Sequence, residues 1–178
     1  MRRYFLLSCS FLLIILSACG FGSNLSVGSP LDLGSSTENS VTVNITLELD
    51  SVGQVWLAAT FMPLEPDTHV YSKDLPRGGM NGLGRPSLLE LGPGTQMEAV
   101  GPLTESVPAN ETDLDGLRIY PAGPVTLRLP VSLPAGNGWV EEIVSITYMA
   151  CGNGSCRPPV IGKIISIRVP TTGSLVKP

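Results

Sequence analysis

The chain has 178 residues, 11 basic and 15 acidic side chains, a formal charge of −4 and a single histidine. Its 20 glycines and 16 prolines make up about a fifth of the chain, against about 12% in an average protein. That balance disfavours a helical bundle, the charge excludes a basic nucleic-acid binder, and one histidine leaves little room for a multi-histidine metal centre. The acids are scattered, so no acidic tail is implied.

At the start, Arg2 and Arg3 precede an almost wholly apolar run from Tyr4 to Leu16. It is shorter than the ~20 residues that a spanning helix needs and has the length of a signal-peptide core. It ends in Leu16-Ser17-Ala18-Cys19-Gly20. That segment resembles a bacterial lipobox, in which small residues precede a cysteine that is lipidated and becomes the mature N-terminus. An ordinary signal peptide or an uncleaved signal anchor are the plainer alternatives. Residues 1–18 are therefore expected to be a lipoprotein signal peptide and Cys19 the lipidation site. Cleavage removes two arginines, no acid and Cys9, which leaves 160 residues and a charge of −6. Only Cys151 and Cys156 then remain as thiols, outside the cytoplasm, where disulfides persist. No later apolar run reaches 18 residues, so the mature chain is expected to be anchored to a membrane through lipid rather than to span it.

Residues 20–40 hold six serines, four glycines and no Lys or Arg. With Cys19 they read as a flexible tether, 19–40, that lets the following domain sample about 25 Å; the alternative is that part of it adds a strand, which Leu31 and Leu33 permit weakly. From Val41 to Leu49 apolar and polar residues alternate without a break, the signature of a half-buried strand. Further strands are predicted at 54–61, 67–72, 87–91, 95–100, 117–120, 125–133, 139–149 and 161–169. Pro130 places its strand at an edge or bulge. Residues 101–116 read as a long loop. No stretch keeps a helical period, so the predicted fold is all-β, an antiparallel β-sandwich over 41–170 with a tail at 171–178. A chain of this size buries a real core without needing a disulfide.

Cys151 and Cys156 enclose Gly152-Asn153-Gly154-Ser155. Asn and Gly accept positive φ, so a tight turn brings the sulfurs together. A bridge closing so short a loop contributes only about 2 kcal/mol in the chain-entropy account. The spacing alone admits a redox couple or a structural bridge. Metal has the weakest case, because zinc needs three or four ligands and His69 is far away in sequence. His69 reads as a residue of the sandwich edge, and Arg157 as a solvated charge.

The stretch Tyr148-Met149-Ala150-Cys151-Gly152-Asn153-Gly154-Ser155-Cys156-Arg157-Pro158-Pro159 resembles the active-site hairpin of one family. This is the N-terminal periplasmic domain of the thiol:disulfide interchange protein DsbD. His69-Val70-Tyr71-Ser72-Lys73-Asp74 resembles its early strand, and Arg118-Ile119-Tyr120 with Val125 to Val131 resembles the stretch before the hairpin. The resemblance spans roughly residues 41–170. It implies an immunoglobulin-like sandwich that takes electrons from a membrane-embedded or thioredoxin-like thiol donor and passes them to oxidised envelope proteins. It implies Cys156 as the exchanging cysteine and Cys151 as the resolving one. It also implies a cap loop at residues 111–116, where Asp113 and Leu114 stand at the acidic and aromatic positions, and flanking roles for Tyr71 and Tyr148. Neither a multi-helix membrane domain nor a thioredoxin-like domain is recognised in these residues, so a stand-alone module is expected. No cofactor and no nucleic-acid partner are expected. The competing expectation is a β-sandwich binding lipoprotein with a purely structural disulfide.

Overall fold

The computed structural model describes residues 25–114 and 116–175. The expected signal peptide and the Cys19 lipidation site lie outside the described residues.

The chain folds as strands β1 (Leu31–Glu38), β2 (Val41–Leu49), β3 (Val55–Pro63), β4 (His69–Val70) and β5 (Leu88–Leu91). Four two-residue strands follow: β6 (Glu98–Ala99), β7 (Thr104–Glu105), β8 (Asn110–Glu111) and β9 (Arg118–Ile119). The last five are β10 (Val125–Ser132), β11 (Trp139–Tyr148), β12 (Ala150–Gly152), β13 (Ser155–Cys156) and β14 (Val160–Pro170). Thr172–Ser174 form a turn of 3-10 helix.

β2 shows why the alternation in sequence makes a sheet. Val41, Val43, Ile45, Leu47 and Leu49 are all buried, while the polar residues between them are half-buried on the other face. The largest antiparallel sheet runs β1-β2-β3-β10-β6, and β7 also pairs with the outer edge of β10. A second runs β14-β11-β5. Both contribute to one core, where Phe61 of β3 meets Tyr148 of β11 edge to face with centroids 5.6 Å apart. The fold is thus an all-β antiparallel sandwich, as the sequence pattern predicts.

Three details differ from the expectations. Leu31–Glu38 is not tether but an edge strand paired along most of β2. A bulge between Asp32 and Gly34 interrupts its register, and the Asp32 carboxylate accepts from the Gly34 amide at 3.0 Å. Ladder bonds come from the backbone, so a serine-rich segment joins a sheet without an apolar alternation. Leu25, also within the expected tether, is buried in the core. At the other end, the expected tail is tied down as far as Leu175. Thr171 is buried, its amide donates to the Gly138 carbonyl at 2.9 Å, and Leu175 packs on the core. Within the expected loop 101–116 lie β7 and β8.

Pro130 sits inside the large sheet rather than at its outermost edge. Its carbonyl accepts from the Val100 amide at 2.9 Å on the side covered only by β6 and β7. The proline nitrogen points to that same side, between two short strands, where the ladder asks for no donor.

Beside the sandwich stands a small annex. Its sheet runs β13-β12-β4, and a residue pair between Tyr71 and Ile119 joins it to the β8-β9 hairpin.

Candidate functional site

The two cysteines are joined as a disulfide with Cα atoms 4.0 Å apart. They face each other across β12 and β13, next to a two-residue turn at Asn153 and Gly154. Both turn residues have positive φ, +50° and +75°. That is the mirror-image turn whose twist matches a hairpin, and Asn-Gly is its preferred sequence. Local sequence therefore brings the sulfurs together before any tertiary contact acts.

The tertiary structure then makes the two sulfurs unequal. Cys151 is on the middle strand of the annex sheet and is only 7% exposed. Cys156 is on the outer strand and exposed. The Tyr71 hydroxyl lies 3.0 Å from Cys151 Sγ and 3.9 Å from Cys156 Sγ. A disulfide sulfur carries no hydrogen, so the hydroxyl is the donor. Burial pushes the Tyr71 phenol above its ordinary range, which keeps that proton in place.

Tyr71 is held from several sides. Its carbonyl accepts from Ser87 Oγ at 2.7 Å. Its ring packs with Leu75, Leu117 and Cys151 in a small apolar cluster that Met80, Ile119 and Met149 flank. Gly84 lies flat against it. A Cβ there would stand 2.8 Å from the ring, on a backbone with φ +71° that already disfavours side chains.

The other expected site residues are placed elsewhere. Tyr148 belongs to the main core, where it meets Phe61 edge to face and donates to the Glu38 carbonyl at 2.9 Å. Asp113 and Leu114 are exposed at the tip of the β8-β9 hairpin. Leu114, 54% exposed, borders a cavity of about 120 Å³ with Met80, Asn81, Leu83 and Leu117. Tyr71, rather than that tip, makes the described hydrogen-bond contact with the sulfurs. Arg157, next to Cys156, is exposed and pairs with Glu65.

The sequence pattern reads His69 as a residue of the sandwich edge. In the structure it is the cross-strand partner of Cys151. The alternation of His69 and Tyr71 puts both on one face, but nothing in the sequence says which strand lies beside them. Among the described residues, no group of three His, Cys, Asp or Glu side chains stands ready to hold a metal ion. No described helix is long and apolar enough to cross a membrane.

Elsewhere, an open cleft of about 490 Å³ lies at the outer face of the large sheet, lined by Trp56, Asp50, Glu48 and Arg128 among others. Its polar groups bind one another: Trp56 Nε1 donates to Asp50 at 3.0 Å, and Arg128 pairs with Glu48 at 2.9 Å.

No family model, curated protein or solved structure matches the chain.

Proposed function

We propose that the chain is a lipid-anchored, extracytoplasmic thiol:disulfide interchange module with an immunoglobulin-like sandwich. It relays electrons from a membrane-embedded or thioredoxin-like thiol donor to oxidised envelope proteins through the Cys151–Cys156 couple. The observation that carries this reading is the asymmetry of the pair. One sulfur is exposed on an outer strand, and the other is buried under a tyrosine hydroxyl.

That asymmetry supports the following roles. A donor thiolate reaches Cys156 Sγ, forms a mixed disulfide there and displaces Cys151 as a thiolate. The Tyr71 O–H, 3.0 Å away, donates to the charge as it develops, which favours Cys151 as the leaving sulfur. The donor's second thiol then releases the reduced module. In the second half, the Cys156 thiolate attacks an acceptor disulfide, and Cys151 closes on Cys156 to release the reduced acceptor. Two electrons pass in each half, and no cofactor is required. The position of the bridge supports the same reading. The bridge spans one hairpin that its turn and ladder already close, rather than linking the two sheets of the sandwich.

The reduction potential of the couple in the folded protein tests the proposal. A value well above about −300 mV is expected, because structural disulfides lie below that limit. A Cys151→Ser variant mixed with a thioredoxin-like dithiol donor is expected to accumulate a mixed disulfide on Cys156. A potential below the limit, with no trapped complex, overturns the relay. The binding lipoprotein with a structural disulfide then stands, and the cleft beside Trp56 is the feature that favours it. Mass spectrometry of the protein extracted from its envelope tests the anchor, with a lipid-modified Cys19 as the first residue expected.

A further inference from the structure

Three residues stand in one row across the annex. His69 on β4 is opposite Cys151 on β12, and Cys151 is opposite Cys156 on β13. Directly opposed residues on antiparallel strands point to the same face, with Cβ atoms about 5 Å apart. Tyr71, two residues beyond His69, shares that face, and its contact with Cys151 Sγ fixes which face it is. The two rings of His69 and Tyr71 meet edge to face, with centroids 5.6 Å apart. His69 takes part in none of the side-chain hydrogen bonds or ion pairs among the described residues, and since no buried side-chain nitrogen there lacks a partner, its ring nitrogens reach solvent rather than being locked in the fold.

We propose that His69 accepts the proton of the Cys151 thiol when Cys151 closes the disulfide and releases a partner held on Cys156. This rests on the interchange reading above and adds to it the group that makes the buried thiol reactive.

The step balances as follows. The S–H bond of Cys151 breaks and its proton goes to a ring nitrogen of His69. The electron pair left on Cys151 Sγ forms the S–S bond to Cys156 Sγ. The bond between Cys156 and the partner sulfur breaks, and the partner leaves as a thiolate. The couple is oxidised, the partner is reduced, and the imidazolium returns its proton to the departing thiolate or to water.

The need for an acceptor follows from the surroundings. A thiol buried among apolar groups ionises poorly, and a hairpin offers no helix N-terminus to help it. Tyr71 steadies the thiolate by donating but, being protonated itself, cannot take the proton. The imidazole can. Burial holds His69 below its ordinary range, so at neutral pH it is uncharged, with a lone pair free to accept a proton. The groups facing it are Tyr71 from its own segment, Cys151 from β12 and Cys156 from β13. Arg157 beside Cys156 is held by Glu65, and Arg118 on β9 by Glu111. No nearby charge contributes to the His69 shift.

The experiment uses the full chain, reduced and then mixed with the aromatic disulfide 5,5′-dithiobis(2-nitrobenzoate). A first, second-order release of coloured thiolate reports attack by Cys156. A second, first-order release reports closure by Cys151. In the wild type the second phase is expected to level off above the His69 titration. In His69→Phe, which keeps an aromatic against Tyr71, and in His69→Gln, it is expected to be about tenfold or more slower at pH 7. It should then keep rising with pH towards the ordinary thiol range, while the first phase is unchanged. Added imidazole is expected to restore the rate in His69→Ala. Identical profiles in wild type and variants, with both phases present, overturn the role of His69 and leave the relay standing. A wild type that never shows the second phase overturns the relay itself, and this inference with it.

Discussion

The sandwich and the annex are built differently from the same chain. In the sandwich, long strands of eight to eleven residues pair and bury a continuous apolar core. In the annex, strands of two or three residues surround a cluster whose buried members, among the described residues, are Tyr71, Leu75, Leu117 and Cys151. The first arrangement stabilises and does not expose reactive groups. The second contributes little burial, but it presents one sulfur to solvent and holds the other against a hydroxyl. Elements with few apolar contacts and exposed backbone open at low cost, which suits a site where a partner's sulfur must approach in line with a disulfide.

The contrast breaks most easily in the core. Phe61→Ala removes a fully buried ring that meets Tyr148 edge to face. It is expected to lower stability by about 3–5 kcal/mol in chemical denaturation while leaving the reduction potential of the cysteine pair unchanged. A large shift of the potential in this variant would show that the two regions are not separable. Alkaline pH acts on the core as well. Burial, and then the neighbouring Glu38 carboxylate, push Tyr148 up to about 12, whereas an unfolded chain titrates near 10. Between those values the unfolded state loses a proton that the native state keeps, so stability is lost as pH rises through that window. Tyr148→Phe is expected to flatten that part of a stability-against-pH curve.

Effects in the annex should be smaller on stability and larger on chemistry. Opening the disulfide with reductant is expected to lower stability by no more than about 2 kcal/mol, since the loop it closes is short. A loss as large as that from Phe61→Ala would make the bridge a strut after all. Tyr71→Phe keeps the ring against Gly84 and removes only the hydroxyl. It is expected to change stability least of these variants, and to slow attack of a dithiol donor on the oxidised protein about fivefold, the value of one hydrogen bond of ~1 kcal/mol. Stopped-flow reduction by a thioredoxin-like donor measures it.

Much of the sandwich was legible because period-two burial writes itself into the residue order. Val41 to Leu49 and Val125 to Leu133 display it openly, and both are strands with the expected inward face. β1 was not legible. Leu31 and Leu33 are its apolar signal, and an edge strand that pairs through its backbone needs no more. The cysteine hairpin was legible down to its turn, since Asn153-Gly154 is a local signal. The expected roles of Tyr71, Tyr148, Asp113 and Leu114 all rested on a resemblance, and the geometry puts Tyr71 at the sulfurs and Tyr148 in the core.

By itself the sequence determined an all-β chain, the strands with regular alternation, and a turn that brings Cys151 and Cys156 within bonding reach. These follow from neighbours a few residues apart, where φ preferences and side-chain alternation act. Only the tertiary structure decided that His69 lies opposite Cys151, that Cys156 takes the outer strand and that Tyr71 reaches the buried sulfur. Those facts depend on which strands pair and in what register. That choice is made by burying the whole core at once, across separations of about 80 residues that no local pattern records.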